Sequence, residues 1–420
     1  MMENIQVYKF GGASVKDAAA ILNLRSIVQA HVGPLLVVVS AMGKTTNALE
    51  EIFDLAFTGQ DYSVALEKLA DFHRNVANAL FDEREVGMVL NESLEGLKRQ
   101  LIQTRTAPDN YDQQYDQVVS YGELLSSRIV AQAVKGSWQD CRNLIRTDNN
   151  WRDARVDWTT TEANMWAMLR EQEASPIAEG PVVTQGFIGR TADGLTTTLG
   201  REGSDYSAAI LAYCLRGAGV TIWKDVAGLL NADPKIFADT VRYPEISYRE
   251  TIEMAYYGAS VIHPKTLKPL ADRNIPLRVK SFLNPEAEGT LIHDCQHPAL
   301  APAFIRKTDQ ALLSFASKDF SFISEENMAV IFAALAQAKL KINVMQNSAI
   351  SFSVCVDYSE RRVHQLLDVL REQFTLHYNT GLTLFTIKNY DAASIARLTE
   401  GKRLLLEQRT RSTFQFVCAA

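Results

Sequence analysis

The stretch Val7-Tyr8-Lys9-Phe10-Gly11-Gly12-Ala13-Ser14-Val15 constrains the fold more than any other, because it runs a buried strand through a lysine and two glycines into an amphipathic helix. Glycine N–H groups can approach an anion closely, a helix N-terminus adds unpaired donors, and an adjacent lysine neutralises phosphate oxygens. The same turn also serves plain strand-to-helix packing, so both readings stand at this point. A second turn of this kind, Gly200-Arg201-Glu202-Gly203-Ser204-Asp205, opens another helix and carries an arginine and an aspartate.

Strand and helix patterns alternate over the first 295 residues. Ile5–Phe10 reads as a strand, followed by Ile21, Leu24 and Val28 at helical spacing behind a possible cap at Ser14 with Asp17 three residues on. Residues 34–40 form an apolar run of strand length, as in a sheet covered on both faces. A long helical stretch fills roughly 46–135, broken near 104–111. Strands are expected at 181–188 and 219–223, and Ser247 to Glu250 spells a capping box for a helix ending near Gly258. This order predicts a three-layer α/β/α sandwich with a mainly parallel sheet and ligands at the carboxyl ends of its strands.

Breakers cluster at 284–289 and 297–302 and mark a domain boundary, giving an expected catalytic domain over 1–295 and a second domain over 304–420. Beyond it the pattern becomes strand 311–317, helix 325–339, strands 341–346 and 350–356, helix 360–373 and strand 382–388. Val363, Leu366, Leu367 and Leu370 mark one apolar helix face, read as core. The tail after Tyr390 is expected to hold a short helical piece and one apolar strand, 413–417.

With 47% hydrophobic and 22% charged residues the composition is that of an ordinary globular chain, and a net charge of −6 provides no broad basic field for nucleic acid or anionic membrane. No run approaches the ~18 apolar residues of a membrane span, and no secretory leader pattern is visible, so a cytoplasmic location is expected. Five scattered cysteines without C-x-x-C spacing read as reduced thiols, and seven scattered histidines form no metal cage.

The two glycine turns, in this order, resemble the KFGG[TA]SV and GRxGSD segments of the aspartate kinases of the amino-acid-kinase family. Further segments are similar to the family's landmarks: Ser120-Tyr121-Gly122-Glu123, Thr184-Gln185-Gly186-Phe187-Ile188-Gly189, Trp223-Lys224-Asp225-Val226-Ala227-Gly228 with Asn231-Ala232-Asp233-Pro234-Lys235, and residues 257–264. The resemblance covers about residues 6 to 294. It implies the carbamate-kinase-like sandwich and, for the βαββαβ order after 304, an α+β, ferredoxin-like ACT regulatory domain with one complete module and a shortened second one.

For function, the resemblance implies transfer of the ATP γ-phosphate to the side-chain carboxylate of L-aspartate, with Mg2+ carried by the nucleotide. Lys9 would cancel charge on the transferred group and Asp205 would orient it. Gly11, Gly12 and Ser14 would donate to phosphates, and Lys224, Asp225, Asp233 and Lys235 would lie around the nucleotide. Arg201 can grip the α-carboxylate through two parallel hydrogen bonds, Glu123 would take the ammonium, and Ser40 and Thr46 match the family's substrate loop. Some relatives carry threonine where Lys224 stands, tyrosine at Leu230 and lysine at Ser260, so adenine contacts are not transferred. Gly43-Lys44-Thr45 is no Walker A motif, because the required upstream glycine is Val38, and Lys44 is read as an exposed loop residue.

Asn343, Gln346 and Asn347 occupy the ACT segment that binds a feedback amino acid in relatives, and their uncharged groups suit threonine at least as well as lysine. A homodimer through the ACT sheets is expected. Rivals are a kinase for glutamate, acetylglutamate or a nucleoside monophosphate, and an idle amino-acid sensor. The roughly 120 residues after position 300 hold no G-x-G-x-x-G, so no fused homoserine dehydrogenase is expected in them.

Overall fold

The computed structural model describes residues 4–170, 180–259, 262–297, 300–319 and 321–419. Ser260 and Val261, and Pro298 and Ala299 of the breaker-rich segment, lie outside the described residues. The chain divides into two compact units: residues 1–229, 242–252 and 261–296, and residues 230–241, 253–260 and 297–420.

The first unit is built on an eight-stranded sheet in the order Ser137–Gln139, Val182–Gln185, Leu35–Val39, Gln6–Phe10, Gly219–Lys224, Leu277–Ser281, Thr290–His293, Glu245–Ser247. Neighbours run parallel except for the antiparallel pair Leu277–Ser281 and Thr290–His293. All five residues of Leu35–Val39 are buried, as a β-branched strand with both faces covered requires. The helix Tyr121–Val134 packs on Leu35–Val39 and Val182–Gln185, while Gly203–Leu215 packs on Gln6–Phe10 and Gly219–Lys224 with Pro264–Asp272 and Trp158–Arg170 beside it. Lys9 thus sits near the carboxyl end of a central strand, flanked in register by Val38 and Ile222.

Three local expectations are corrected. Ser14 does not cap the first helix, because Gly12–Val15 close into a 3-10 turn and Asp17 takes the cap, accepting from Ala20 N at 2.8 Å. The helical stretch after 45 is broken not only near 107–110 but also between Phe57 and Ser63 and between Asn78 and Glu83. The second of these breaks ends in a capping box made by Asp82 and Glu85. The strand expected at 181–188 stops at Gln185 and resumes as Ile188–Arg190, in a hairpin with Thr196–Thr198. Gly186 lies against Ser204 so closely that a Cβ would fall 2.5 Å from the serine Cβ, and Phe187 at φ 70° turns the chain.

The second unit carries a six-stranded antiparallel sheet in the order Ile342–Asn347, Ser351–Asp357, Ala303–Ser317, Phe374–Lys388, Thr413–Ala419, Leu404–Arg409. Its two central strands are each 15 residues long, well beyond the expected 311–317 and 382–388, and their mutual register shifts between Lys307 and Leu312. Glu325–Gln337 and Glu360–Leu370 cover one part of the sheet, burying Ile331, Leu335, Val363, Leu366 and Leu370 with Phe315 and Val354. A separate cluster of Phe304, Ile387, Leu398, Phe414 and Phe416 forms beside the short helix Ala392–Thr399. The tail holds two strands rather than one. Leu404–Arg409 is an edge strand with only Leu406 buried, and so lacks the alternating pattern that would announce it.

Candidate active site

The carboxyl ends of the central parallel strands open into a cavity of about 570 Å³. Its wall includes Lys9, Gly12, Ser40, Thr46, Glu123, Arg201, Asp205 and Lys224, so eight residues expected from separate segments meet in one place. The arrangement follows from parallel topology, which delivers every strand-to-helix turn to the same edge of the sheet.

Charge is concentrated at the floor. Lys9 Nζ lies 2.5 Å from Asp205 Oδ1, and Lys224 Nζ lies 3.2 Å from Asp205 Oδ2. Lys9 is 7% exposed and Asp205 3%, so neither is a solvated surface charge. Burial alone would raise the Asp205 carboxyl, but the two ammonium groups outweigh it and hold it below the usual carboxylate range. Asp205 is not the cap of its helix: the Ncap is Glu202, at φ 55°, and Asp205 sits in the first turn with both oxygens engaged by lysines. Two cations on one anion leave the cluster with a net positive charge facing the cavity.

Glu123 behaves differently. It is fully enclosed, one oxygen accepts from Ala41 N at 3.2 Å, and the other has no hydrogen-bond partner among the described residues. Burial pushes its carboxyl up to about 8, against the smaller opposing effects of that N–H and of Lys9. A buried acceptor left open on a cavity wall is destabilising for the empty protein and is what an incoming cation would satisfy.

Steric contact accounts for Gly12. A Cβ on Gly12 would fall 2.8 Å from Ala41 O, and Gly43 N donates to Gly12 O at 3.0 Å, so the first turn and the loop 40–46 are locked together. Gly11 borders the Lys9 ammonium, and the Ser14 hydroxyl is buried without a partner among the described residues. Gly11, Ser14 and Asp225 do not line the cavity themselves. Asp225 is exposed directly after Lys224. Asp233 and Lys235 belong to the second unit, where Asp233 Oδ1 accepts from Lys235 N at 2.9 Å in a local turn. Lys44 is exposed, and His263 caps the helix Pro264–Asp272 by accepting from Lys265 N at 3.1 Å. Cys141, Cys214, Cys355 and Cys418 are buried free thiols.

Glu50, Tyr115, Arg152, Phe187, Thr198, Glu202 and Ser204 also line the cavity and were not singled out from sequence. Phe187, Glu202 and Ser204 lie inside segments already noted, so their neighbours could have found them. Glu50, Tyr115 and Arg152 belong to no local motif: the Tyr115 hydroxyl donates to Glu50, and the Arg152 guanidinium lies 4.1 Å from the Tyr115 ring centroid.

Residues 4–281 match the model of the amino acid kinase family. The lysine-sensitive aspartokinase 3 of Escherichia coli K12 is 34% identical over 364 residues, covering 85% of this chain and 79% of that protein. The chain belongs to the aspartokinases of this family. A crystal structure of E. coli aspartokinase III in complex with aspartate and ADP aligns over 99% of this chain and 96% of its own, with a TM-score of 0.81 and 28% identity. A bifunctional aspartokinase/homoserine dehydrogenase of Zea mays is 30% identical over 392 residues, 88% of this chain but 41% of its own length. This aspartokinase therefore spans about two-fifths of that fused relative. In its second unit Asn343 lies on the edge strand Ile342–Asn347, and Gln346 and Asn347 are exposed on the same strand. Asn343 is fully engaged: it accepts from Lys307 Nζ at 2.9 Å and donates to Gln310 Oε1 at 2.8 Å and Asp357 Oδ1 at 2.9 Å.

Proposed function

We propose that the chain is an ATP:L-aspartate 4-phosphotransferase that makes 4-phospho-L-aspartate, the first step toward lysine, threonine and methionine. One observation carries the reading: the Lys9–Asp205–Lys224 cluster, with Lys9 and Asp205 buried, shares a cavity with an arginine and a buried glutamate that has an open oxygen. A dicarboxylic amino acid needs such a set, a guanidinium for its α-carboxylate and an acid for its ammonium. The E. coli aspartokinase III structure with aspartate and ADP supports the same pair of ligands, and ATP as the phosphate donor.

The side-chain carboxylate of aspartate is already ionised at neutral pH, so no base is required. Its oxygen attacks the γ-phosphorus, the bond from that phosphorus to the β,γ-bridging oxygen breaks, and ADP leaves with the electron pair. Lys9 and Lys224 oppose the charge spread over the phosphoryl oxygens, and Asp205 keeps both ammonium groups aimed. Gly12 donates to the phosphates, and Gly11 and Ser14, bonded to each other through Ser14 N and Gly11 O at 2.9 Å, shape the turn that presents it. Arg201 and Glu123 fix the amino acid, with Ser40 and Thr46 beside it, so that the acceptor oxygen lies in line. Mg2+ accompanies the nucleotide, held mainly by phosphate oxygens and water and screening their charge; among the described residues no group of three or more His, Cys, Asp or Glu could hold a metal by itself. Asp225, next in sequence to Lys224, serves the nucleotide side.

The region before 295 is the catalytic domain in this reading. The region after 304 is an ACT-type regulatory domain with one complete and one shortened module, through which two chains pair. An amino-acid effector, lysine or threonine, acts at Asn343, Gln346 and Asn347; the relative named lysine-sensitive supports lysine. No helix among the described residues is long and apolar enough to cross a membrane, which is compatible with a cytoplasmic enzyme. The test is ADP release with aspartate, glutamate, acetylglutamate and uridine monophosphate in parallel: turnover with aspartate alone is expected, and turnover with any other acceptor in its place overturns the assignment.

A further inference from the structure

The helix Tyr111–Val119 offers two consecutive polar side chains to the free edge of the hairpin strand Thr196–Thr198, and together they stand in for a neighbouring strand. Gln117 Nε2 donates to Thr196 O at 2.6 Å and its Oε1 accepts from Thr196 N at 3.0 Å. Asp116 Oδ2 accepts from Thr198 N at 2.9 Å while Oδ1 accepts from the Thr198 hydroxyl at 2.7 Å. The same Oδ2 accepts from Arg152 N at 3.0 Å. Asp116 is completely buried and lies outside the cavity wall, yet three wall residues converge on it: Thr198, Arg152 and its own neighbour Tyr115.

The position of Thr198, just upstream of the substrate arginine, gives this contact its weight. Two residues on, Gly200 takes φ 76°, and Arg201 is followed by Glu202 at φ 55°, so the arginine rides on a turn outside any regular element. Upstream it is held by Thr198, tied to Asp116 and accepting at its carbonyl from Ala154 N at 2.9 Å, and by Leu199, whose N–H donates to Phe187 O at 2.8 Å. We propose that Asp116 is a positioning residue for the acceptor amino acid: by binding Thr198 and Arg152 to one carboxylate it fixes where Arg201 presents its guanidinium, while itself touching neither substrate. The proposal rests on the aspartate kinase reading and extends it to a residue no motif contains.

Asparagine would be too mild a change, since its oxygen can keep both N–H donors at the Oδ2 position while its Nδ2 donates to the Thr198 hydroxyl; alanine removes every acceptor and is the informative replacement. Asp116→Ala in the full chain is expected to raise the KM for aspartate about tenfold or more, with the KM for ATP within about twofold of the parent. Thr198→Val, which removes only the hydroxyl bond, is expected to raise the aspartate KM about threefold. Gln117→Ala loosens the same helix–strand contact two residues further from the loop and should lower the unfolding temperature with the aspartate KM within about twofold. A merely structural Asp116 would move the variants together in stability without separating the two KM values. A parent chain that releases no ADP with aspartate sinks the kinase reading instead. With an active parent, an unchanged aspartate KM in folded Asp116→Ala overturns the positioning role; if that variant does not fold, an unchanged KM in Thr198→Val does so.

Discussion

Two polar clusters, one in each unit, have similar ingredients and opposite degrees of saturation. In the second unit Lys307, Gln310, Asn343 and Asp357 satisfy one another: Gln310 Nε2 and Asn343 Nδ2 both donate to Asp357 Oδ1, and Lys307 donates to Asn343. In the first unit the cavity wall keeps Glu123 Oε2 buried without a partner among the described residues and sets two lysines on one aspartate. A saturated network specifies a fold; an unsaturated one keeps binding capacity for a ligand. Asn343, although it falls in the segment expected to bind an effector, thus ties its own strand to both Ala303–Ser317 and Ser351–Asp357.

The sharpest way to break this contrast is Lys9→Ala. Loss of the ammonium nearest Asp205 should cut turnover by about 10²–10⁴-fold with the fold retained by circular dichroism, and near-normal turnover would remove Lys9 from the mechanism. Next comes Arg201→Lys, expected to raise the aspartate KM by about 10–100-fold with little change for ATP, since an ammonium cannot supply two parallel bonds; equal rises for both substrates would place Arg201 on the wrong ligand.

Glu123 sharpens the comparison through pH. Its carboxyl is pushed up to about 8 by burial, and an ammonium binds the ionised form. The aspartate KM should therefore fall as pH rises from about 6 to 9, and Glu123→Gln should flatten that profile at a higher KM. Stability moves in the opposite sense. With the folded value above the unfolded one, the protonated form is favoured in the native state, so the empty protein loses stability as pH rises from the ordinary glutamate range through about 8. Denaturant unfolding of parent and Glu123→Gln across that range checks this; a parent that gains stability relative to the variant refutes it. The smallest effect is expected in the saturated network, where Asp357→Ala should cost about 1 kcal/mol of stability and leave kcat unchanged without effector. Calorimetry and saturating assays decide this, and a large fall in kcat would give that network a catalytic role.

Much of the site was legible because its residues cluster in short glycine-bearing segments. Lys9 with Gly12, Arg201 with Asp205, and Glu123 after Ser120 could each be read locally, and all but Ser120 line one cavity. Nucleotide-side residues were less tractable: Asp225 is exposed and Asp233 is occupied in a turn, so their spelling alone does not distinguish ligand contact from turn chemistry. The second unit was readable in its helices, whose buried Val363, Leu366 and Leu370 repeat at helical spacing, and poorly readable at Leu404–Arg409, where an exposed edge erases the alternation.

The linear order of residues was enough for the layer architecture and for the chemistry at each turn, because hydrophobic periodicity and glycine placement act over a few positions. Only the folded chain decided that Glu50, Tyr115 and Arg152 join the cavity, that Asp205 faces two lysines rather than its own helix end, and that Asp116 clasps Thr198 from 82 residues away. Those contacts arise where parallel strands end side by side, and no pattern along the backbone encodes which distant side chain will arrive there.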